Sequence, residues 1–108
     1  MEQEKTAVQV LREARRLIAD MGWCRGHFAL NAAGLDVNEC DPDARAFCSS
    51  GAIWRAADAD NRKFVAAKSL LLAAIHPSTL VGFNDDPGRT REEVIAAFDR
   101  AIALAEKG

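Results

Sequence analysis

The apolar positions near the N-terminus recur at helical spacing. Val10, Leu11, Ala14, Leu17, Ile18 and Met21 form a single stripe, which predicts an amphipathic helix starting at Thr6. Gly22 supplies its stop, because a residue without Cβ takes the left-handed conformation at little cost. From residue 27 the period changes to two. Phe28, Leu30, Leu35 and Val37 alternate with His27, Ala29, Asn31, Asp36 and Asn38 around Asn31-Ala32-Ala33-Gly34, predicting a β-hairpin. Pairing Leu30 with Leu35 and Phe28 with Val37 puts all four on one face, able to cover a helical core. Two strands alone are marginal, so the hairpin must pack on helices.

Asp41-Pro42 offers an N-cap followed by a first-turn proline, and predicts a second helix over about 43–57. Phe47, Cys48, Gly51 and Trp54 are its inward stripe. A glycine inside a helix costs about 1 kcal/mol relative to alanine, so Gly51 predicts a tight crossing with another helix. A third helix over 61–75 turns Phe64, Ala67, Leu71, Ala74 and Ile75 inward. His76-Pro77 ends it, because a residue before proline avoids helical geometry. Residues 77–89 carry turn chemistry and read as a loop. Thr90 and Glu93 then have capping-box spacing, and Val94, Ile95, Phe98, Ala101, Ile102 and Ala105 repeat the stripe of the first helix. The first and last helices are expected to pack side by side. The expected fold is mainly α (α+β), about four helices with one β-hairpin between the first and second helix, in a single domain spanning 1–108.

Composition narrows the function classes. Apolar residues make up 49% and charged residues 28% of the 108, enough apolar surface for one core. The net charge is -2, and the densest basic stretch, Arg12, Arg15 and Arg16, is interleaved with Glu13 and Asp20 at helix-pair spacing. A solvated helix face explains it better than a phosphate-binding one. The start, MEQEKTAVQV, lacks the basic and apolar regions of a secretory signal. The longest apolar run, Phe64 to Ile75, carries Lys68 and is too short to span a membrane. Three cysteines without an export signal fit a reducing compartment, so a cytoplasmic location is expected.

Several motifs carry a resemblance. Gly22-Trp23-Cys24 follows the first helix, Phe47-Cys48 precedes Gly51-Ala52-Ile53, and Phe83-Asn84-Asp85-Asp86-Pro87-Gly88-Arg89-Thr90 leads to Glu93-Val94 and Asp99-Arg100-Ala101. Together they resemble a family of small bacterial and phage-associated proteins carrying a domain of unknown function. The resemblance covers most of the chain, and its most specific piece is Asn-Asp-x-Pro-Gly-Arg-Thr entering a helix. It leads one to expect a tryptophan before that Asn, where this chain has Phe83. It implies no activity, cofactor or catalytic residue.

Four constellations could carry chemistry. Cys24, His27, Cys40 and Cys48 are zinc-ligand types, but the expected hairpin register sends Cys24 to the face opposite His27 and Cys40. Small buried thiols explain Cys24 and Cys48 better, and no metal or cofactor is expected. Asn84, Asp85 and Asp86 with Arg89 and His76 could bind a ligand, a cation or a water, although Asn and Asp also close turns and cap helices. A nucleophilic cysteine would need an adjacent base, and strand alternation separates Cys24 from His27. Trp54 belongs to a helical stripe, whereas Trp23 is either a core plug or an interface anchor. No catalytic residue is assigned. The ligand-binding candidates are Trp23, His76, Asn84, Asp85, Asp86 and Arg89. The leading expectation is a small intracellular protein-binding or regulatory module, partnered by another protein or by itself as a homodimer. The alternative is a small enzyme or ligand-binding domain using the 84–89 loop. A nucleic-acid-associated regulator using the Arg12–Arg15–Arg16 face is weaker, and no membrane partner is expected.

Overall fold

The structure is a computed structural model that describes residues 5–107. In chain order these residues form α1 (Ala7–Asp20), β1 (Ala29–Asn31), β2 (Ala44–Phe47), α2 (Ser49–Ala56), α3 (Asn61–Ile75), α4 (Leu80–Asp85) and α5 (Arg91–Lys107). The fold is mainly α, with one antiparallel strand pair between α1 and α2.

α1 lies at the centre and packs against α2, α3 and α5. Of its stripe, Val10, Leu11, Ala14 and Ile18 are fully enclosed and Leu17 is partly buried, whereas Met21, at the C-cap, is exposed. Thr6 caps it: the Gln9 amide donates to Thr6 Oγ1 (3.1 Å) and the Thr6 amide to Gln9 Oε1 (2.8 Å). Buried Ala52, Ala56, Ala67, Ala97 and Ala101 let the neighbouring helices come close, while Phe47, Ile53, Leu71 and Phe98 fill the space between them. α5 lies beside α1 as expected, and its capping box is present. Glu93 N donates to Thr90 Oγ1 (3.2 Å) and Thr90 N to Glu93 Oε1 (3.0 Å).

The middle of the chain departs from expectation. β1 pairs with β2, Ala29 opposite Phe47 and Leu30 opposite Ala46, with a bulge before Asn31 meets Ala44. The expected partner segment, 35–37, contributes an isolated bridge from Leu30 to Asp36, one residue off the Leu30–Leu35 pairing. Side chains alternate along a strand, so a one-residue shift exchanges the faces. Ala29 is fully buried, while Phe28 and Leu35 are 53% and 63% exposed. The turn itself forms where expected, with the Ala33 and Leu35 amides donating to Asn31 Oδ1 (3.0 and 2.9 Å).

Helix two also starts later than expected. Asp41 Oδ1 accepts from the Asp43 amide (2.7 Å), so Asp41-Pro42 makes a turn, and residues 44–47 are strand. The cap of α2 is Cys48, whose Sγ accepts from the Gly51 amide (3.2 Å). Gly51 does mark a close approach, but to a carbonyl before β1 rather than to a helix. A Cβ at Gly51 would lie 2.1 Å from Phe28 O. α3 occupies 61–75 as predicted, capped by Asp60. The 77–89 segment is not all loop, because Thr79 caps the short α4, its Oγ1 accepting from the Gly82 amide (3.0 Å). The helix count among the described residues is therefore five.

Candidate functional site: the Asn84 junction and its cleft

Asn84 is 1% exposed and joins three parts of the chain. Its Oδ1 accepts from Trp23 Nε1 (2.8 Å), the Ser49 amide (2.9 Å) and Ser49 Oγ (2.8 Å). Its Nδ2 donates to Cys24 O (3.0 Å) and Asp85 Oδ1 (2.9 Å). One amide thus ties the turn after α1 to the first residue of α2 and the end of α4. A buried carboxamide is well placed only if donors and acceptor are all met. Among the described residues no buried side-chain nitrogen or oxygen lacks a partner.

The flanking residues complete the junction. Asp85 Oδ1 also accepts from the Gly26 amide (3.1 Å). Arg25 donates to Asp86 O (3.0 Å) and Pro87 O (2.7 Å), with its guanidinium over the Trp23 ring at 5.3 Å. Arg89 Nε donates to Phe83 O (2.8 Å) and its guanidinium stacks on the Phe83 ring at 3.8 Å. Asp86 Oδ1 accepts from the Gly88 amide (3.0 Å), closing the turn into α5. Gly22, with φ +157°, lets the chain leave α1 close under Arg45 O, where a Cβ would lie 2.9 Å away. Trp23 then makes a parallel bridge with Phe47.

Beside this junction opens a cleft of about 300 Å³. Phe28, Leu80 and Val81 give it apolar walls, and Asn84, Asp85 and Ser50 give it polar positions. Gly26, His27, Asp36 and Cys48 complete the lining. The His27 ring lies 3.2 Å from Asp36 through Nδ1. Of the candidates from sequence, Asn84 and Asp85 line the cleft, and Trp23 holds Asn84 from behind. Asp86 and Arg89 brace the turn behind it, and His76 sits exposed at the end of α3 away from the lining. Phe28, Asp36, Ser50, Leu80 and Val81 were not among the candidates. Their positions depend on the strand register and on α4, neither of which periodicity revealed.

The two buried thiols, Cys24 and Cys48, are held against reactivity. Burial pushes the Cys24 thiol up to about 12, helped by Cys48, Asp85 and Asp36. Burial also raises Cys48, against the pull of the Gly51 and Ser50 amides. Cys24 Sγ donates to the His27 carbonyl (3.4 Å), so the imidazole is not its base. A thiol held protonated is a poor nucleophile. Among the described residues no three His, Cys, Asp or Glu side chains gather to hold a metal ion. The basic face of α1 meets carboxylates: Arg12 pairs with Glu106, Arg15 with Asp99 (2.6 Å) and Arg16 with Glu13 (3.8 Å). Among the described residues no helix is long and apolar enough to cross a membrane.

Fold and site together define a small mainly helical domain with a hydrogen-bonded junction and an open, partly apolar cleft. The chain belongs to DUF6197, a family of unknown function, with the match covering residues 2–104. No curated protein and no solved structure matches it.

Proposed function

We propose that the protein is a small binding module that takes a segment of another protein into the cleft beside Asn84. The observation that carries this is the exposure of Phe28 and Val81, 53% and 54%, on the segment before β1 and on α4, both lining one cleft. Large apolar side chains left half in water around a concavity favour a partner that covers them. The saturated junction behind them holds the cleft in shape before a partner arrives, which lowers the ordering cost of binding. The protonated thiols weigh against cysteine catalysis in the same place, and three free cysteines support a reducing, cytoplasmic setting.

Site-specific photocrosslinking in the native host tests the proposal. A crosslinker at position 28 or 81 should form protein adducts that are absent when it sits at Val65 or Leu104, which are equally exposed elsewhere. Equal adduct formation at all four positions would contradict it.

A second reading rests on the cleft volume of about 300 Å³, at the lower end of clefts that hold small molecules. A small ligand would then meet Asn84 and Asp85, the two residues of the 84–89 segment that face the cleft. Native mass spectrometry of protein purified without chelators distinguishes it, by a retained small molecule that is lost on Val81→Asp.

A further inference from the structure

The charges around the cleft bear on the chemistry of its occupant, an inference that rests on the binding-module reading. Asp36 and Asp85 line the cleft with one imidazole, and no lysine or arginine is among the lining residues. The basic residues nearest in the junction are engaged elsewhere. Arg25 donates to the Asp86 and Pro87 carbonyls (3.0 and 2.7 Å), and Arg89 donates to the Phe83 carbonyl (2.8 Å), approaching Glu93 at 3.7 Å. The donors that Asp85 receives, the Gly26 amide and Asn84 Nδ2, are neutral. They hold one carboxylate oxygen in place, and among the described residues no cationic side chain pairs with Asp85. Asp36 meets the half-exposed His27 ring.

We infer that the partner segment is basic: it seats an apolar side chain against Phe28 and Val81 and sets a lysine or arginine against Asp85 and Asp36. The apolar walls exclude water from one side of the half-buried Asp85, so a cation there is attracted more strongly than at an open surface, while the largely exposed Asp36 adds a screened attraction. An acidic segment would meet two like charges and be repelled.

Selection of random displayed peptides against the full chain tests this. Binding is then measured with Phe28→Ala, Asp85→Asn and Asp36→Asn. Asn at 85 keeps the oxygen that accepts from Gly26, and an unchanged melting temperature verifies that the fold is retained. The expected peptides pair an apolar residue with Lys or Arg and require Phe28. They weaken by about fivefold for each carboxylate removed, as a screened contact pair predicts, and weaken further as salt rises. Peptides that require Phe28 but lack basic residues and ignore both Asn variants would overturn the basic-segment inference while leaving the cleft as the binding site. Binders indifferent to Phe28→Ala would overturn both. A dimer of this chain that Phe28→Ala dissociates, or a small amine bound where no peptide is selected, would also overturn the basic segment.

Discussion

The α1–α5 face and the Asn84 junction hold the same domain together by different physics. Between α1 and α5 the stabilising contacts are apolar and distributed over many side chains, with Phe98 among the most enclosed. The ion pairs at its edge, Arg12–Glu106 and Arg15–Asp99, are half exposed and contribute little. At the junction a single amide collects five hydrogen bonds from Trp23, Ser49, Cys24 and Asp85. Dispersion and burial tolerate substitution of similar volume. A polar node does not, because each lost partner strands another buried group. The rigid, specific part of the molecule is thus the one beside the cleft.

Substitutions sharpen that contrast. Phe98→Ala should cost about 4 kcal/mol in urea unfolding while leaving the environment of Trp23, read by fluorescence in a Trp54→Phe background, unchanged. Asn84→Ala removes less volume yet should cost about 3 kcal/mol, because the Trp23 indole and the Ser49 donors lose their acceptor. Unlike Phe98→Ala it should shift the Trp23 emission, and equal shifts in both variants would erase the distinction. Gly51→Ala would stabilise an ordinary helix, but here it should destabilise by about 2 kcal/mol because the new Cβ meets Phe28 O.

Alkaline pH offers a gentler probe. The Cys24 thiol has an ordinary value of 9.0 and is held up at about 12 in the fold. Its raised value contributes stability that is complete below about 9 and lost as pH rises toward 12. Unfolding midpoints should therefore fall across that window, and Cys24→Ala should flatten the decline. The smallest effect is expected at the edge of the α1–α5 face. Arg15→Ala should change stability by less than about 1 kcal/mol, and by less still at high salt.

The same division governs what the amino-acid pattern reveals. α1, α3 and α5 are legible because each buries one stripe at helical period, and Thr90-x-x-Glu93 announces a cap whose two bonds are both present. The β2 segment reads as helix because Asp41-Pro42 resembles a helix start, whereas the real cap is the sulfur of Cys48, a weak acceptor rarely used in that role. Alternation misled about the register, since it put Phe28, Leu30, Leu35 and Val37 on the covering face, whereas Ala29 is the enclosed residue and Phe28 and Leu35 are exposed. Asn84 and Asp85 stand out as a polar pair in a turn-rich stretch, yet the residues they join lie 35 and about 60 positions away. Only tertiary structure brings Trp23, Ser49 and the cleft together.

Native-state hydrogen exchange of the wild-type protein tests the junction most directly, because it leaves every side chain in place. The Ser49 amide and the Trp23 indole N–H both donate to Asn84, and the Gly26 amide, on an exposed turn, donates to Asp85. The expected result is protection at Ser49 and Trp23 comparable to the interior of α1, with measurable protection at Gly26. Exchange of all three at the rate of exposed loops would contradict a junction held by Asn84.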